Sequence, residues 1–359
     1  AEILGIEKSA LESAVKKQFK GKTSAIELNS DALEQGRAHF RENLEKIDPY
    51  TVESRPIEKP QFFIEGNEAA AMGTLFGGAQ LLAWYPITPS SSIAEGIIGW
   101  IPKIRTNDEG EADCAVIQAE DELAAAGMVL GAGWAGGRGL TATSGPGISL
   151  MQEFIGLGYF AEIPSVFWDV CRVGPSTGLP TRTQQSDITL LYEGSHGDTQ
   201  HIVLFPGTVD EWVVFGWRAF DIAERYQTPV FPMSDLDLGM NRWACSGFDY
   251  PDIPMDRGKV VRDRDVFEAF EEFGRYLDID GDGIPYRTLP GSGMAPILYR
   301  GTGHNPMGLY SEKPHDYFQL MTRLKNKIDG ARDDLPAPIL REEAEQELGI
   351  IYLGSMENS

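Results

Sequence analysis

Cysteine is scarce in this 359-residue chain: Cys114, Cys171 and Cys245 lie far apart, and no Cys-x-x-Cys pair occurs. A sparse, odd set argues against a disulfide framework. It also rules out an iron–sulfur cluster held by this chain alone, which takes about four thiolates. Cys114 and Cys171 stand in apolar, strand-like runs, the usual setting of buried, inert thiols. Long apolar stretches are missing too. With no run of about 18 apolar residues, no membrane-spanning helix is expected. The opening "AEILGIEKSALES" carries Glu2 and Glu7 and no basic leader, so a secretory signal is not expected and a cytoplasmic setting is. Positive charge is in short supply: 31 Lys and Arg stand against 54 Asp and Glu, a formal charge of −23. Such a chain repels phosphate backbones, so neither nucleic acid nor a membrane is an expected partner. No Gly-x-Gly-x-x-Gly follows any strand-like run, which weakens a dinucleotide-binding reading.

What is present is alternation. Residues 4–46 have helical apolar spacing in "IEKSALESAVKKQF" and "SDALEQGRAHFRENLEKI", with Ser30 or Asp31 as a possible cap of the second helix. Residues 47–60, with Pro49, Pro56 and Pro60 and no periodicity, read as a linker. From residue 61 short apolar runs alternate with helical stretches: "FFIEG", "AWYPIT", "CAVIQA", "LTATS", "VFWDV", "HIVLF" and "TPVFPMS". Strands separated by helices imply βαβ units, hence an α/β fold with a parallel sheet and helices on both faces over 61–245. Such a sheet binds ligands at the carboxyl ends of its strands. Residues 246–330, rich in Pro, Gly, Asp and Arg, read as a partly helical insertion with helices near 265–277 and 313–328. Residues 331–359 read as a linker leading into a strand, "LGIIYLGS", that opens a following domain.

Four loops after these strands carry unusual residues. In "YPITPSSSIAE", Pro86 and Pro89 hold Ile87 and Thr88 extended, and Ser92 with Glu95 forms a capping box. Thr88 is thereby presented beside a helix N-terminus, a setting that suits a carboxylate or phosphate. The bland alternative is a stiff strand-to-helix turn. In "QAEDELAAAGM", Glu120 lies nearest the strand end, whereas Asp121 and Glu122 suit the helix N-terminus. In "TATSGPGISLMQE", Gly145, Pro146 and Gly147 mark a helix start, although such a turn is common chemistry anywhere. In "CRVGPSTGLPTRTQQSD", Arg172 and Arg182 offer paired N–H donors for a carboxylate.

Weaker candidates lie elsewhere. "DIDGDG" sets Asp278, Asp280, Asp282 and Gly283 at the first, third, fifth and sixth positions of a calcium loop. The twelfth is Leu289 rather than Glu, so an Asp–Gly turn is the better reading. His196 and His304 stand in Gly-rich loops, where a lone histidine is usually structural or solvated. The Phe/Trp-rich stretch 211–225 reads as core.

Taken together and in order, "YPITPSS", "QAEDE-AA", "TATSGPG-SLM-E" and "R-GPSTGLPT-T-Q-D" resemble the alpha subunit of 2-oxoacid:ferredoxin oxidoreductases, over roughly residues 60–330. The resemblance implies a thiamine-diphosphate enzyme that oxidatively decarboxylates a 2-oxoacid, passing the acyl group to coenzyme A and electrons to ferredoxin. It implies that Glu120 meets the pyrimidine ring and that Thr88 and Arg172 meet the substrate. Pro86, Ile87, Gly145 and Pro146 would line the cofactor, with Ser176, Thr177 and Arg182 as further substrate contacts. Residues 1–46 resemble the helical tail of a gamma domain, so the chain is expected to be part of a gamma–alpha fusion.

A magnesium-binding diphosphate segment is not found, for the "GDG" at 281–283 sits in the insertion. The resemblance therefore implies a beta subunit that supplies the diphosphate grip, Mg2+ and the iron–sulfur cluster, with no metal on this chain. 2-Oxoglutarate is the first choice of substrate, with pyruvate or a branched-chain 2-oxoacid behind it. The competing reading is a non-catalytic assembly subunit that keeps the fold. A scaffold has no need of Glu120, Thr88 and Arg172 together.

Overall fold

The computed structural model describes residues 2–53, 61–295, 299–341 and 347–358. The chain forms two compact units, Ala1–Pro60 and Gln61–Ser359. In the first, α1 (Lys8–Gln18) packs on α2 (Thr23–Asn43), and neither helix has a buried residue. Ion pairs of Lys8 with Glu34 (2.7 Å) and Arg37 with Glu2 (2.6 Å) tie the unit together. The expected cap at Ser30 or Asp31 is corrected: no helix breaker precedes it, so α2 starts about two turns earlier and both residues lie inside. Of the expected linker, 47–53 carries no helix or strand and the remainder lies outside the described residues.

The second unit holds β1 (Phe62–Glu65), α3 (Gly66–Phe76), β2 (Leu81–Trp84), α4 (Ser91–Ile104), β3 (Ala115–Gln118), α5 (Glu122–Trp134), β4 (Gly139–Thr143) and α6 (Gly145–Phe160). It continues with β5 (Ser165–Cys171), α7 (Ile188–Tyr192), β6 (Ile202–Leu204), α8 (Val209–Tyr226), β7 (Pro229–Asp235), α9 (Leu236–Met240), β8 (Arg242–Cys245), α10 (Arg264–Glu268) and α11 (Pro314–Gly330). Six strands form one parallel sheet in the order β3-β2-β4-β5-β7-β6. The chain passes from β2 outward to β3 and returns to β4, so a crevice opens at the carboxyl ends of β2 and β4.

β5 is buried along its whole length. Its alternate residues feed two cores. Trp168 stacks on Trp212 of α8 (centroids 5.2 Å apart), while Phe167 stacks on Phe231 beneath α6. The Phe/Trp-rich helix α8 is core, as its spacing predicts. α3 lies against α8 with almost no side-chain spacer. A Cβ built on Gly73 would stand 2.2 Å from the Val213 carbonyl oxygen, and one on Gly216 would stand 2.8 Å from the Gly73 carbonyl carbon.

Residues 246–334 brace the amino ends of β4 and β5 with buried ion pairs. Arg138, just before β4, pairs with Glu224 (2.8 Å) and Asp221 (2.6 Å), and Arg257 joins Glu224 at 2.9 Å. Glu162, just before β5, is fully buried between Arg323 and Lys327, the latter at 2.8 Å. Burial alone would raise the Glu162 carboxyl, but Arg323, Lys327 and Arg275 together hold it well below the usual carboxylate range.

Three expectations are corrected here. "FFIEG" is a strand, but it pairs antiparallel with β8 in a separate two-stranded sheet (Phe62↔Cys245) rather than joining the parallel one. The helix expected near 265–277 is only Arg264–Glu268, because the chain turns to cluster Phe267, Phe270 and Phe273 with Tyr286. "LGIIYLGS" forms no strand among the described residues. β7, at whose carboxyl end it lies, already has β5 and β6 on its two sides. The segment instead ends in a 3-10 turn, Gly354–Asn358, whose Ser355 hydroxyl donates to the Asp235 carboxylate.

Candidate functional site

The loop after β2 is fixed by short-range bonds. Ile87 N–H donates to Ser91 Oγ (3.0 Å), and Ser90 Oγ donates back to the Ile87 carbonyl (3.0 Å). Asn67, fully buried in α3, donates to the Pro89 carbonyl (2.8 Å) and to Ser92 Oγ (2.7 Å). That second bond is one reason the expected Ser92–Glu95 capping box is not formed. The helix starts at Ser91 with Ser90 in front of it and no side-chain cap. The Thr88–Pro89 peptide is cis, and the Thr88 side chain is exposed.

Arg172 emerges from β5 only 7% exposed, and its Nη1 donates to the Thr88 carbonyl at 2.7 Å. Its Nε is buried without a hydrogen-bond partner among the described residues. Burial lowers its pKa, with the Asp187 carboxylate pulling the other way. The structure thus joins two of the predicted residues, Thr88 and Arg172, although they stand far apart in sequence. A cavity of about 590 Å³ opens beside them, and its lining includes Gly145, Pro146, Arg172, Ser176, Thr177 and Asp187. The loop over it is closed by Leu179 N–H to the Val173 carbonyl (2.9 Å) and Val173 N–H to the Arg182 carbonyl (3.1 Å). Gly178, at φ +54°, makes that closure, since a Cβ there would stand 1.6 Å from the Val173 oxygen. Arg182 itself is exposed, bonds the neighbouring Thr181 carbonyl at 2.7 Å and does not line the cavity.

Across the "QAEDE" turn the three acids have different surroundings. Glu120 is exposed and makes no hydrogen bond among the described residues. Asp121 caps α5, accepting from Ala124 N–H at 2.7 Å. Glu122 is only 7% exposed, in the first turn of α5, and lies against the turn after β4. A Cβ built on Gly147 would meet Glu122 Cγ at 3.0 Å and Thr143 Oγ1 at 1.9 Å. Glu122 has no hydrogen-bond partner among the described residues, and Thr143 Oγ1 and Ser144 Oγ beside it are buried and unpartnered. Sequence reasoning placed Glu122 with the helix terminus. Its burial follows from the one-residue step past Asp121, which turns the side chain inward. The helical spacing of Ala125, Ala126 and Val129 from it, all buried, was the signal that could have shown this.

The weaker candidates fall away from this end of the sheet. The "DIDGDG" turn is closed by a lysine: Lys259 Nζ bonds Asp280 (2.6 Å), Asp282 (2.8 Å) and the Ile284 carbonyl (3.0 Å). His304 is buried, its ring centroid 3.9 Å from that of Tyr276, and burial lowers its pKa. His196 is exposed on a separate cavity. A larger cavity of about 710 Å³ lies near the start of β2, and none of the predicted site residues lines it.

A switch-point crevice in a parallel sheet, with the Glu122 side chain packed against a Ser-Gly-Pro-Gly turn, is where a sheet of this class takes a ligand. Residues 72–242 match the family described as pyruvate flavodoxin/ferredoxin oxidoreductase, thiamine diphosphate-binding. The chain is 40% identical to the 2-oxoglutarate synthase subunit KorA of Methanothermobacter thermautotrophicus, over 76% of this chain and 68% of that one. It is 32% identical to the alpha subunit of 2-oxoacid:ferredoxin oxidoreductase 2 of Aeropyrum pernix, over 98% of this chain and 56% of that one. A solved structure of 2-oxoglutarate:ferredoxin oxidoreductase from Magnetococcus marinus, with 2-oxoglutarate, coenzyme A and succinyl-CoA bound, is similar at a TM-score of 0.80 and 30% identity. That likeness covers 96% of this chain and 58% of that one. The chain belongs to the family of 2-oxoacid:ferredoxin oxidoreductase alpha subunits. It spans between about half and two thirds of the length of the relatives named here. Among the described residues no helix is long and apolar enough to cross a membrane.

Proposed function

We propose that this chain supplies the pyrimidine half of the active site of a 2-oxoacid:ferredoxin oxidoreductase. It would act on 2-oxoglutarate before pyruvate or branched-chain 2-oxoacids, with coenzyme A as acyl acceptor and ferredoxin as electron acceptor. Bound thiamine diphosphate supplies the carbon nucleophile and electron sink that decarboxylation needs. The residues present fit its pyrimidine: the Glu122 side chain, 7% exposed and without a hydrogen-bond partner among the described residues, orphaned hydroxyls at Thr143 and Ser144, and a glycine turn that a Cβ would fill. The diphosphate grip with Mg2+ and the iron–sulfur cluster belong, in this reading, to a beta subunit, and the electrons leave through it.

The observation that carries the reading is the Thr88–Arg172 junction beside the Gly145–Pro146 turn. Arg172 holds the substrate carboxylate with the donors that the Thr88 carbonyl leaves free. Thr88, Ser176 and Thr177 orient the 2-oxo group from the rim, with Arg182 as an outlying contact. Pro86 and Ile87 shape the floor on the β2 side. The pyrimidine nitrogen needs a carboxylate, and burial favours Glu122 for it. Glu120 is the competing choice, two residues away and exposed.

The test is co-expression of the full-length subunit with its beta partner, with viologen reduction assayed on several 2-oxoacids. Hydrogen–deuterium exchange at C2 of bound thiamine diphosphate is then measured in Glu120→Gln and Glu122→Gln. Slow exchange in Glu122→Gln alone supports the buried carboxylate, whereas slow exchange in Glu120→Gln alone restores the exposed one. No viologen reduction with any 2-oxoacid sinks the whole reading.

A further inference from the structure

Behind Arg172, on the α6 side of β5, lies a cluster whose chemistry the reaction above does not use. Asp169 precedes Arg172 by three residues and is wholly buried. It shares the face of Phe167 and Cys171, as alternate residues of a strand do. Carboxylate and thiol atoms of Asp169, Cys171 and Asp187 all lie within 4.8 Å of one another. The Cys171 thiol donates to Asp187 Oδ2 at 2.9 Å and stands 3.6 Å from Asp169 Oδ2. A thiol has one proton, so the shorter contact takes it, and Asp169 Oδ1 is left buried without a partner.

We infer that Asp169 and Asp187 share a single proton, and that this acid–carboxylate pair is the positioning device that holds Arg172 and the Gly145 turn at the substrate cavity. Two carboxylates this close in a desolvated site cannot both ionise cheaply, so one keeps its proton. Asp169 is the one. It is the fully buried member, and its lateral neighbours in the sheet, Thr143 and Met233, carry no charge. Burial first, and the Asp187 charge second, raise its carboxyl well above the usual range. Asp187 is half-buried, accepts from Cys171 and from the Ser186 hydroxyl (3.2 Å), and lines the cavity. It is the member of the pair that accepts hydrogen bonds.

Its position has two consequences. Asp187 faces the cavity that Arg172 also lines. It also lies against Gly145, where a Cβ would meet Asp187 Oδ2 at 2.6 Å. Strand end, helix start and cavity loop thus meet at one carboxylate. If Asp169 also ionised, repulsion would push Asp187 away from the sheet and take the loop with it.

The inference rests on the proposed substrate role of Arg172, but its first test does not need activity. Infrared difference spectra of the full-length protein in its assembled complex, wild type minus Asp169→Asn, should show an un-ionised carboxylic C=O band at neutral pH. The band should fade on alkaline titration. KM for 2-oxoglutarate should rise roughly tenfold over that titration in the wild type, with kcat little changed, because a loosened carboxylate grip is lost binding. Asp169→Asn keeps a donor without a titrating proton and should show a flat KM profile. Absence of the band in the wild type, or an equally pH-dependent KM in Asp169→Asn, overturns the inference. Should Asp169→Asn not fold, Cys171→Ser replaces it: the stronger hydroxyl donor must shift the band, and an unmoved band counts against the pair. A band present in a complex that turns over no 2-oxoacid leaves the shared proton standing and removes only the assigned reaction.

Discussion

The two ends of the parallel sheet treat buried charge differently. At the amino ends of β4 and β5, Arg138 and Glu162 are buried and ion-paired, Arg138 to Glu224 and Asp221, Glu162 to Arg323 and Lys327. At the carboxyl ends, Asp169 and Arg172 are buried and neither forms an ion pair among the described residues; unpartnered buried polar atoms occur at both ends, Thr143 Oγ1 and Asp169 Oδ1 here, Glu224 Oε1 and Arg287 Nε at the other. An unpaired buried polar atom costs about 1–3 kcal/mol. At the amino ends, opposite charges in contact hold the fold together. The insertion does that holding, since Arg257, Arg323 and Lys327 all lie within residues 246–330.

The sharpest break in this contrast is Glu162→Ala. It strands Arg323 and Lys327 in the interior and should cost about 3–5 kcal/mol of stability, read as a fall in Tm and in the urea midpoint. In the fraction that stays folded, C2 exchange of bound thiamine diphosphate should be unchanged if the two ends are as separate as described. The pH dependence has a definite sign. A carboxyl held low in the folded state adds stability above its unfolded pKa, here about 4.5, that is lost as pH falls through the folded value. Glu162→Gln should flatten that acid limb.

Next in size is Glu122→Gln at the other end. It should slow C2 exchange by about 10²–10⁴-fold, the usual worth of an acid–base group. Tm should hardly move, because the carboxylate has no partner to lose. Glu120→Gln should alter neither. Arg172→Lys keeps the charge but loses the planar fork. It should raise KM for the 2-oxoacid roughly tenfold to a hundredfold, the worth of one charge-assisted hydrogen bond, and leave cofactor affinity alone. If cofactor affinity collapses instead, Arg172 is a cofactor ligand. Smallest of all is the "DIDGDG" turn. Calcium should leave Tm unchanged, and Lys259→Met should cost within about 1 kcal/mol, as partly exposed ion pairs do.

The alternating runs made the parallel sheet legible, and the four loops made the crevice at its carboxyl edge legible, because short-period patterns and turn residues act locally. Partner choice between strands is not local. Nothing in "FFIEG" says that its partner is the four residues Arg242–Cys245 rather than the main sheet. "LGIIYLGS" has every strand property except a vacant edge to join. That Arg172, Gly145, Pro146, Ser176 and Thr177 line one cavity, with Thr88 bonded to Arg172 beside it, could be anticipated because each sits in a distinctive loop. The division of labour among Glu120, Asp121 and Glu122 depends on a turn of roughly 100° per residue at the start of α5. Three adjacent acids look alike until the helix is placed. The roles of Glu162 and Asp169 were illegible for a related reason: their partners lie 161 and 165 residues away for the first and 18 for the second, on other elements.

The Gly73–Gly216 crossing has a consequence for how this family can drift. Where two helices meet through side chains, a larger residue on one is answered by a smaller one opposite, and the pair wanders through sequence space together. Here both positions are already at the minimum, so a mutation at either has no compensating partner left to shrink. The crossing should therefore act as a fixed point in comparisons of distant relatives: two invariant glycines by which α3 and α8 can be placed even where the intervening sequence no longer aligns.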